Sequence, residues 1–329
     1  MYTGGSYNRI GNQCRQASGV LTGRIKTGAA PHLFCFGLGY SAMRLVERLK
    51  REGWAVSGTC RSPEKQRALT GKGVRAFLFS RDRPLDDAAE ALTGVTDIVS
   101  SVPPDREGDP VLDHHHDDFV AMDGLRWLGY LSTTGVYGDT GGGAVDETAP
   151  LHPTTERSRR RVAAERRWLD LHRRHGLPVH VFRLAGIYGP GRSVLDQVRA
   201  GTARRIDKPG HSFSRIHVDD IASIVRASMA RPEPGGIYNV CDDEPAEPAA
   251  VVLHACQLLG VEPPPLVSFS EAAPAMSPMA LTFWQDNRRI INRKMKEALG
   301  VELAYPEYRA GLKAILKAEQ AVLAENPAG

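Results

Sequence analysis

The 329-residue chain has no uninterrupted apolar run of the roughly 18 residues that a membrane-spanning helix needs, so a soluble protein with no membrane partner is expected. Its five cysteines (Cys14, Cys35, Cys60, Cys241 and Cys256) form no CxxC pair, and two of them lie in apolar strand-like runs where a small thiol packs well. That usage fits a reducing cytoplasm. Excess charge of one sign is also scarce. The 42 Lys and Arg against 38 Asp and Glu leave +4, a slight basic surplus that leans toward an anionic ligand and gives little support to nucleic acid. Residues 1–30 hold Arg9, Arg15, Arg24 and Lys26 but no acidic residue. Their glycines work against the amphipathic helix of a transit peptide, and the stretch reads as a disordered leader or as a translation start placed too early.

With 42% hydrophobic and 24% charged residues, disorder throughout is excluded, and the chain can fill one large core or a main domain with a smaller companion. From Pro31 onward, apolar strand candidates alternate with helical patterns. HLFCF (32–36) precedes 41–52, WAVSGTC (54–60) precedes 63–70, and VRAFLF (74–79) precedes 85–93. DIVSSV (97–102) precedes 111–126, RWLGYLS (126–132) precedes 154–175, and PVHVFRL (178–184) follows. This rhythm predicts an α/β fold: six strands of a doubly wound parallel sheet of Rossmann type, with a small C-terminal substrate domain. The boundaries are set at 31–186 for the dinucleotide-binding domain and 187–329 for the small domain, with IYNV (237–240) a candidate to return to the main sheet. After Leu184 the pattern loosens into IYGPGR (187–192), a helix at 193–200, a short strand at 215–217 and a helix at 218–230. The proline-rich stretch 262–278 should be an irregular loop, followed by a basic helical segment (288–299) and a closing helix (306–324).

Residues 37–42, GLGYSA, form a G-x-G-x-x-A between an apolar strand and an amphipathic helix. In that setting Gly37 permits the tight turn, Gly39 lets the backbone approach a pyrophosphate, and small Ala42 lets helix and strand pack closely; the pyrophosphate then rests on the positive helix N-terminus. Gly37, Leu38, Gly39, Tyr40 and Ser41 are therefore candidate cofactor-binding residues. At the end of the second strand, where an NAD site usually has an acidic residue for the ribose 2′-OH, stand Cys60, Arg61 and Ser62. Arg61 could pair bidentately with a 2′-phosphate, assisted by Ser62 and Lys65, so NADP is favoured over NAD; the alternative is a solvated arginine at a loop start. Ser100, Ser101 and Pro103, after the fourth strand, should line the cofactor groove, because ligands bind at the carboxyl ends of parallel strands.

The stretch YLSTTGVYGDTGGGAVDETAPLHP (130–153), with FRLAGIYGPGR (182–192), RIHVDDIA (215–222) and GGIYNVCDDEP (235–245), resembles the extended branch of the short-chain dehydrogenase/reductase superfamily, the nucleotide-sugar epimerases and dehydratases. The resemblance covers residues 32–315. It implies homodimers formed through 111–126 and 154–175. The family's substrate-binding Ser/Thr at the end of strand five falls on Thr133. Its Tyr-x-x-x-Lys pair, followed four residues later by Glu, aligns through Glu165 in RSRRRVAAE (157–165), so Arg157 stands at the tyrosine position and Arg161 at the lysine position. The catalytic tyrosine is missing. A guanidinium stays protonated, so Arg157 can bind an anion but cannot exchange a proton, while Arg161 could still hold the nicotinamide ribose. Tyr137 of the VYG element either packs beneath the site or is recruited as a substitute acid. Arg192 and Arg215 resemble positions lining the substrate cleft, where they could meet a diphosphate or make structural ion pairs with Asp219 or Asp220.

Two further clusters carry less. In Asp113-His114-His115-His116-Asp117-Asp118, adjacent histidines on a helix point about 100° apart, so the run reads as a solvated face and no metal is expected. The arginines of 157–167 spread around a helix without interleaved aromatics, and they do not read as a nucleic-acid surface. The leading expectation is an NAD(P)-dependent oxidoreductase or epimerase/dehydratase-like enzyme with an altered site, acting on an anionic sugar, free or nucleotide-linked, or on a similar hydroxyl/carbonyl substrate. The competing one is a non-catalytic NADP-binding sensor or regulatory protein on the same fold.

Overall fold

The run His32–Phe36 (β1) is apolar after its first residue because both of its faces are covered. Leu33 and Cys35 belong to the core on one side of the sheet, Phe34 and Phe36 to the core on the other, and all four are fully buried. A computed structural model of the protein describes Met1 and residues 30–325, and the reading of residues 1–30 as a leader falls outside the described residues. β1 lies within a parallel sheet with β2 (Ala55–Cys60), β3 (Arg75–Leu78), β4 (Asp97–Ser100), β5 (Trp127–Thr133), β6 (Val179–Leu184) and β7 (Ile237–Val240), in the order β7-β6-β5-β4-β1-β2-β3. The doubly wound Rossmann sheet is thus present, with seven strands rather than six. Ile237–Val240 pairs in parallel with β6, from Ile237 opposite Val181 to Val240 opposite Leu184.

Helices α1 (Tyr40–Arg51), α2 (Pro63–Gly71), α3 (Ala88–Leu92), α4 (Pro110–Val120) and α5 (Glu156–His175) connect the first six strands, and the short α6 (Val194–Arg199) follows β6. α1 buries Ala42, Leu45, Val46 and Leu49, the i, i+3, i+4, i+7 spacing of one helical face, against the sheet. Its flank is tied to helix α7 (Val218–Ala230): Arg44 grips Asp219 at 2.7 and 3.2 Å, and Arg48 donates to Ser223 at 2.8 Å. On the opposite face Phe119, Tyr130 and Trp168 stack around α4 and α5. Two glycines give way to their neighbours. A side chain at Gly58 would lie 2.3 Å from the Cys35 carbonyl, and one at Gly129 would strike the Trp127 ring, which stacks on His180 instead.

The loosely patterned C-terminal part differs from expectation in three places. Within 262–278, Leu266–Ser268 is a strand parallel to Arg205–Asp207, and Phe269–Ala272 is a short helix started by the reciprocal Ser268–Glu271 cap. The segment 288–299 is helical only over Arg293–Leu299, because Arg289–Ile290 pairs with Ala144–Val145. Gly186–Tyr188, where the pattern loosens and no element is read, pairs in parallel with Arg215–His217. Elsewhere α3 begins only after its Asp87 cap and α4 stops at Val120, so the helices at 85–93 and 111–126 are shorter than their patterns.

Candidate functional site

In a parallel sheet all strands end at one edge, and here that edge gathers the first turns of α1, α2 and α5. At the head of α1, Gly37 has φ +87°, and a side chain there would meet Ser101 Oγ at 2.8 Å and Val102 Cγ2 at 3.2 Å. Gly39 caps α1 without any side-chain hydrogen bond, and apart from its own chain neighbours no atom lies within 4 Å of the place a Cβ would take. Open space beside an uncapped helix start fits a pyrophosphate. Leu38 is buried and donates its N–H to the Thr59 carbonyl at 2.8 Å, whereas Tyr40 and Ser41 are half-buried.

Beyond β2, Arg61 is exposed, and among the described residues it has no ion-pair partner; Ser62 caps α2, accepting from Lys65 N at 3.3 Å, which leaves its hydroxyl proton to donate. Ser101 donates to the Gly37 carbonyl at 2.6 Å and so braces the glycine turn, and Pro103 is exposed beyond it. Ser100 departs from expectation. It is fully enclosed within the sheet, in register with Phe36 and Tyr130, and cannot line an open groove.

Thr133 ends β5, and its Oγ1 accepts the Gly135 N–H at 3.2 Å, leaving the hydroxyl proton to donate elsewhere. A side chain at Gly135 would touch both Ser158 Oγ and Thr133 Oγ1, which places these two hydroxyls side by side at the start of α5. Arg157, one residue earlier, is exposed. Arg161, expected at the nicotinamide ribose, is buried against the sheet, its Nη1 donating to Tyr130 Oη at 3.0 Å and to the Leu131 carbonyl at 2.9 Å. Tyr137 is 1% exposed; its hydroxyl donates to Asn239 Oδ1 at 2.7 Å and accepts from Arg183 at 2.9 Å. Burial pushes that phenol above its ordinary value against the pull of Arg183, so Tyr137 keeps its proton, and that proton is engaged with Asn239 in the interior.

The sequence reading missed what holds this edge. Glu165 accepts from Arg183 Nη2 at 2.8 Å and from Ser132 Oγ at 2.5 Å, a buried ion pair directly under Thr133. From the C-terminal part, Asp286 accepts from Thr154 Oγ1 at 2.8 Å, and Arg288 donates to the Gly138 carbonyl at 2.9 Å, holding the glycine of the VYG element and the end of the loop before α5. The motif FRL signalled only a strand, and nothing local marks Asp286 or Arg288.

Arg192 and Arg215 are not paired with Asp219 or Asp220. Asp219 belongs to Arg44, and Asp220 accepts from Ala304 N and Tyr305 N. Arg215 donates to the Phe213 and Ala246 carbonyls at 2.7 and 3.0 Å, near the buried Asp242, whose carboxyl is pushed up to about 8 by burial against the pull of that guanidinium. Arg192 sits instead over the ring of Tyr40, 5.6 Å from its centre. Asp113 is taken by Arg81 and Arg167, and His115 and His116 by Asp118 and Asp117; no metal-holding group of three His, Cys, Asp or Glu occurs among the described residues. No helix among the described residues is long and apolar enough to cross a membrane.

Residues 118–241 match the model of the NAD dependent epimerase/dehydratase family. A conserved protein of unknown function from Silicibacter pomeroyi DSS superposes with a TM-score of 0.80 at 47% identity, covering 88% of this chain and all of the other. Protein YeeZ of Escherichia coli K12 is 30% identical over 239 residues, 69% of this chain and 84% of its own. The dTDP-glucose 4,6-dehydratase of Bacillus anthracis str. Ames, solved in complex with NAD, shares the fold with a TM-score of 0.69 at 18% identity, over 89% of this chain and 97% of the other. By its sheet order, its motifs and these relatives, the chain belongs to the NAD dependent epimerase/dehydratase family, in the extended branch of the short-chain dehydrogenases/reductases.

Proposed function

We propose that this protein is an NADP-preferring oxidoreductase of the epimerase/dehydratase type, acting on a hydroxyl or carbonyl carbon of a small anionic, sugar-like substrate. The observation that carries the reading is the open, uncapped start of α1 on the same sheet edge as Thr133 and Arg157. Gly37–Ser41 would hold a dinucleotide, whose nicotinamide would supply hydride exchange with the substrate, and the NAD bound to the Bacillus anthracis dehydratase supports that placement by analogy. Arg61 favours the 2′-phosphate and is the reason NADP is put before NAD. Thr133 donates its free proton to the reacting oxygen. Arg157 binds the substrate's negative group, because a permanent cation at the tyrosine position orients and neutralises charge without trading protons. With Tyr137 sealed away, the proton released or taken up passes to water or to the substrate's own anionic group. In solution we place the protein in the cytoplasm, as its four described, free and buried cysteines suit a reducing compartment, and as pairs of copies joined through α4 and α5.

The same sealed Tyr137 and exposed Arg157 favour one second reading, a protein that binds the dinucleotide without turnover. Hydride exchange with NADP or NADPH across a panel of phosphorylated and carboxylated sugars separates the two. Turnover with any member, lowered in Thr133→Val, supports the enzyme; tight cofactor binding with no turnover across the panel supports the sensor.

A further inference from the structure

After β6 the chain forms a tight hairpin in which Gly189 and Arg192 exchange backbone hydrogen bonds of 3.1 and 3.0 Å. This hairpin is pressed onto the cofactor motif. Tyr40, the first residue of α1, donates its hydroxyl to the Pro190 carbonyl at 3.1 Å, and a side chain at Gly189 would lie 2.5 Å from that hydroxyl and 2.6 Å from Val218 Cγ1, so only glycine permits the approach. The seat is rigid, since Val218 begins α7 and α7 is tied to α1 through Arg44–Asp219 and Arg48–Ser223. Arg192 lies with its guanidinium over the Tyr40 ring, held by cation–π attraction.

That cation is left without a counter-charge. Asp196, the nearest acid along the chain, accepts from Ser193 N and Ser193 Oγ at 2.7 and 2.9 Å, and among the described residues no carboxylate lies within ion-pair distance of Arg192. An exposed, unpaired guanidinium fixed on the first residue of a helix whose start lacks a side-chain cap has one complement, an anion lying between the two.

We propose that Arg192 is a ligand of the cofactor's pyrophosphate, presented by Tyr40 from the hairpin, and not a residue of the substrate cleft. The proposal rests on the cofactor reading given above. It makes dinucleotide affinity depend on a residue about 150 positions from the glycine motif, and it assigns the second half of the chain a direct part in closing the cofactor site.

The test is titration of the full chain with NADH and with NADPH, following nicotinamide fluorescence, in wild type, Arg192→Met, Arg192→Lys and Arg174→Met. Because the pyrophosphate is common to both nucleotides, Arg192→Met should weaken the two equally, by about tenfold, the loss of one charge-assisted contact at a partly solvated site. Arg192→Lys should recover part of the loss, and the gap between wild type and Arg192→Met should narrow as salt rises. Arg174→Met, which removes the same charge at the far end of α5, should bind as wild type does. Undiminished binding in Arg192→Met, or a loss confined to NADPH, would overturn the proposal while the cofactor site itself stood. Failure of the wild type to bind either nucleotide would instead remove the cofactor reading, and this assignment with it.

Discussion

Arg183→Met removes one half of the buried pair beneath Thr133 while keeping most of the apolar stem. The side chains of Arg183 and Glu165 are 4% and 2% exposed. The substitution leaves Glu165 with the Ser132 hydroxyl as its remaining partner and Tyr137 with Asn239 alone. Deleting one member of a buried ion pair costs about 3–5 kcal/mol, because the remaining charge stays desolvated. At about 2.1 cal/mol/K of unfolding entropy per residue, or roughly 1.5 °C per kcal/mol for a chain of this size, the melting temperature should fall by about 4–8 °C. Urea unfolding followed by circular dichroism gives the free energy, and thermal melts give the shift. The double variant Arg183→Met with Glu165→Met removes both charges and should regain at least half of the loss, since apolar replacement of a whole buried pair is close to neutral. A loss under about 1 kcal/mol in the single variant, or a double variant as unstable as the sum of its singles, would refute the claim that this pair is held by mutual compensation.

The buried Asp242 makes stability depend on pH in the alkaline direction. Its folded value, about 8, lies above its ordinary 3.8, so the folded state holds a proton that the unfolded state releases; the stabilisation is complete below about pH 4 and is lost as pH rises through about 8. Asp242→Asn, which imitates the protonated acid, should gain on the wild type between pH 5 and pH 8 by up to about 1.4 kcal/mol per pH unit, and a constant difference across that range would contradict the assignment. Gly37→Ala places a side chain at φ +87° and against Ser101 Oγ; denaturant titration should record a cost of about 1–3 kcal/mol, with dinucleotide binding lost, whereas intact binding would mean that the turn is not the one the cofactor needs.

The sheet was legible where burial leaves a local trace. A strand covered on both faces is apolar at nearly every position, as in HLFCF, and α1 carries its buried face at helical spacing, so the order of elements through β6 can be read directly. Short pairings leave no such trace: three-residue strands such as Leu266–Ser268 are fixed by a partner some sixty residues away, and the prolines around that strand argued for loop. At the site, residue type was legible and direction was not. Arg161 and Arg157 are four positions apart on α5, about 40° around the helix, yet one is buried against Tyr130 and the other is in water, a difference set by packing. Ser62, expected at a phosphate, is also the cap of α2, a second role that residue type alone did not reveal, since one hydroxyl can accept from the helix and donate to a ligand. Asn239, Asp286 and Arg288 reach the VYG region from 100 or more residues away, a distance over which one sequence carries no signal.

The central claim, that the carboxyl edge of this sheet binds a phosphorylated dinucleotide, is tested most directly by comparing NADPH with NADH on the wild type and on Arg61→Ala. The account predicts tighter binding of NADPH than of NADH by the wild type, and in Arg61→Ala a loss of about tenfold or more for NADPH with NADH little changed. Binding of neither nucleotide by the wild type would contradict it outright, and equal affinities unmoved by Arg61→Ala would remove the preference for NADP.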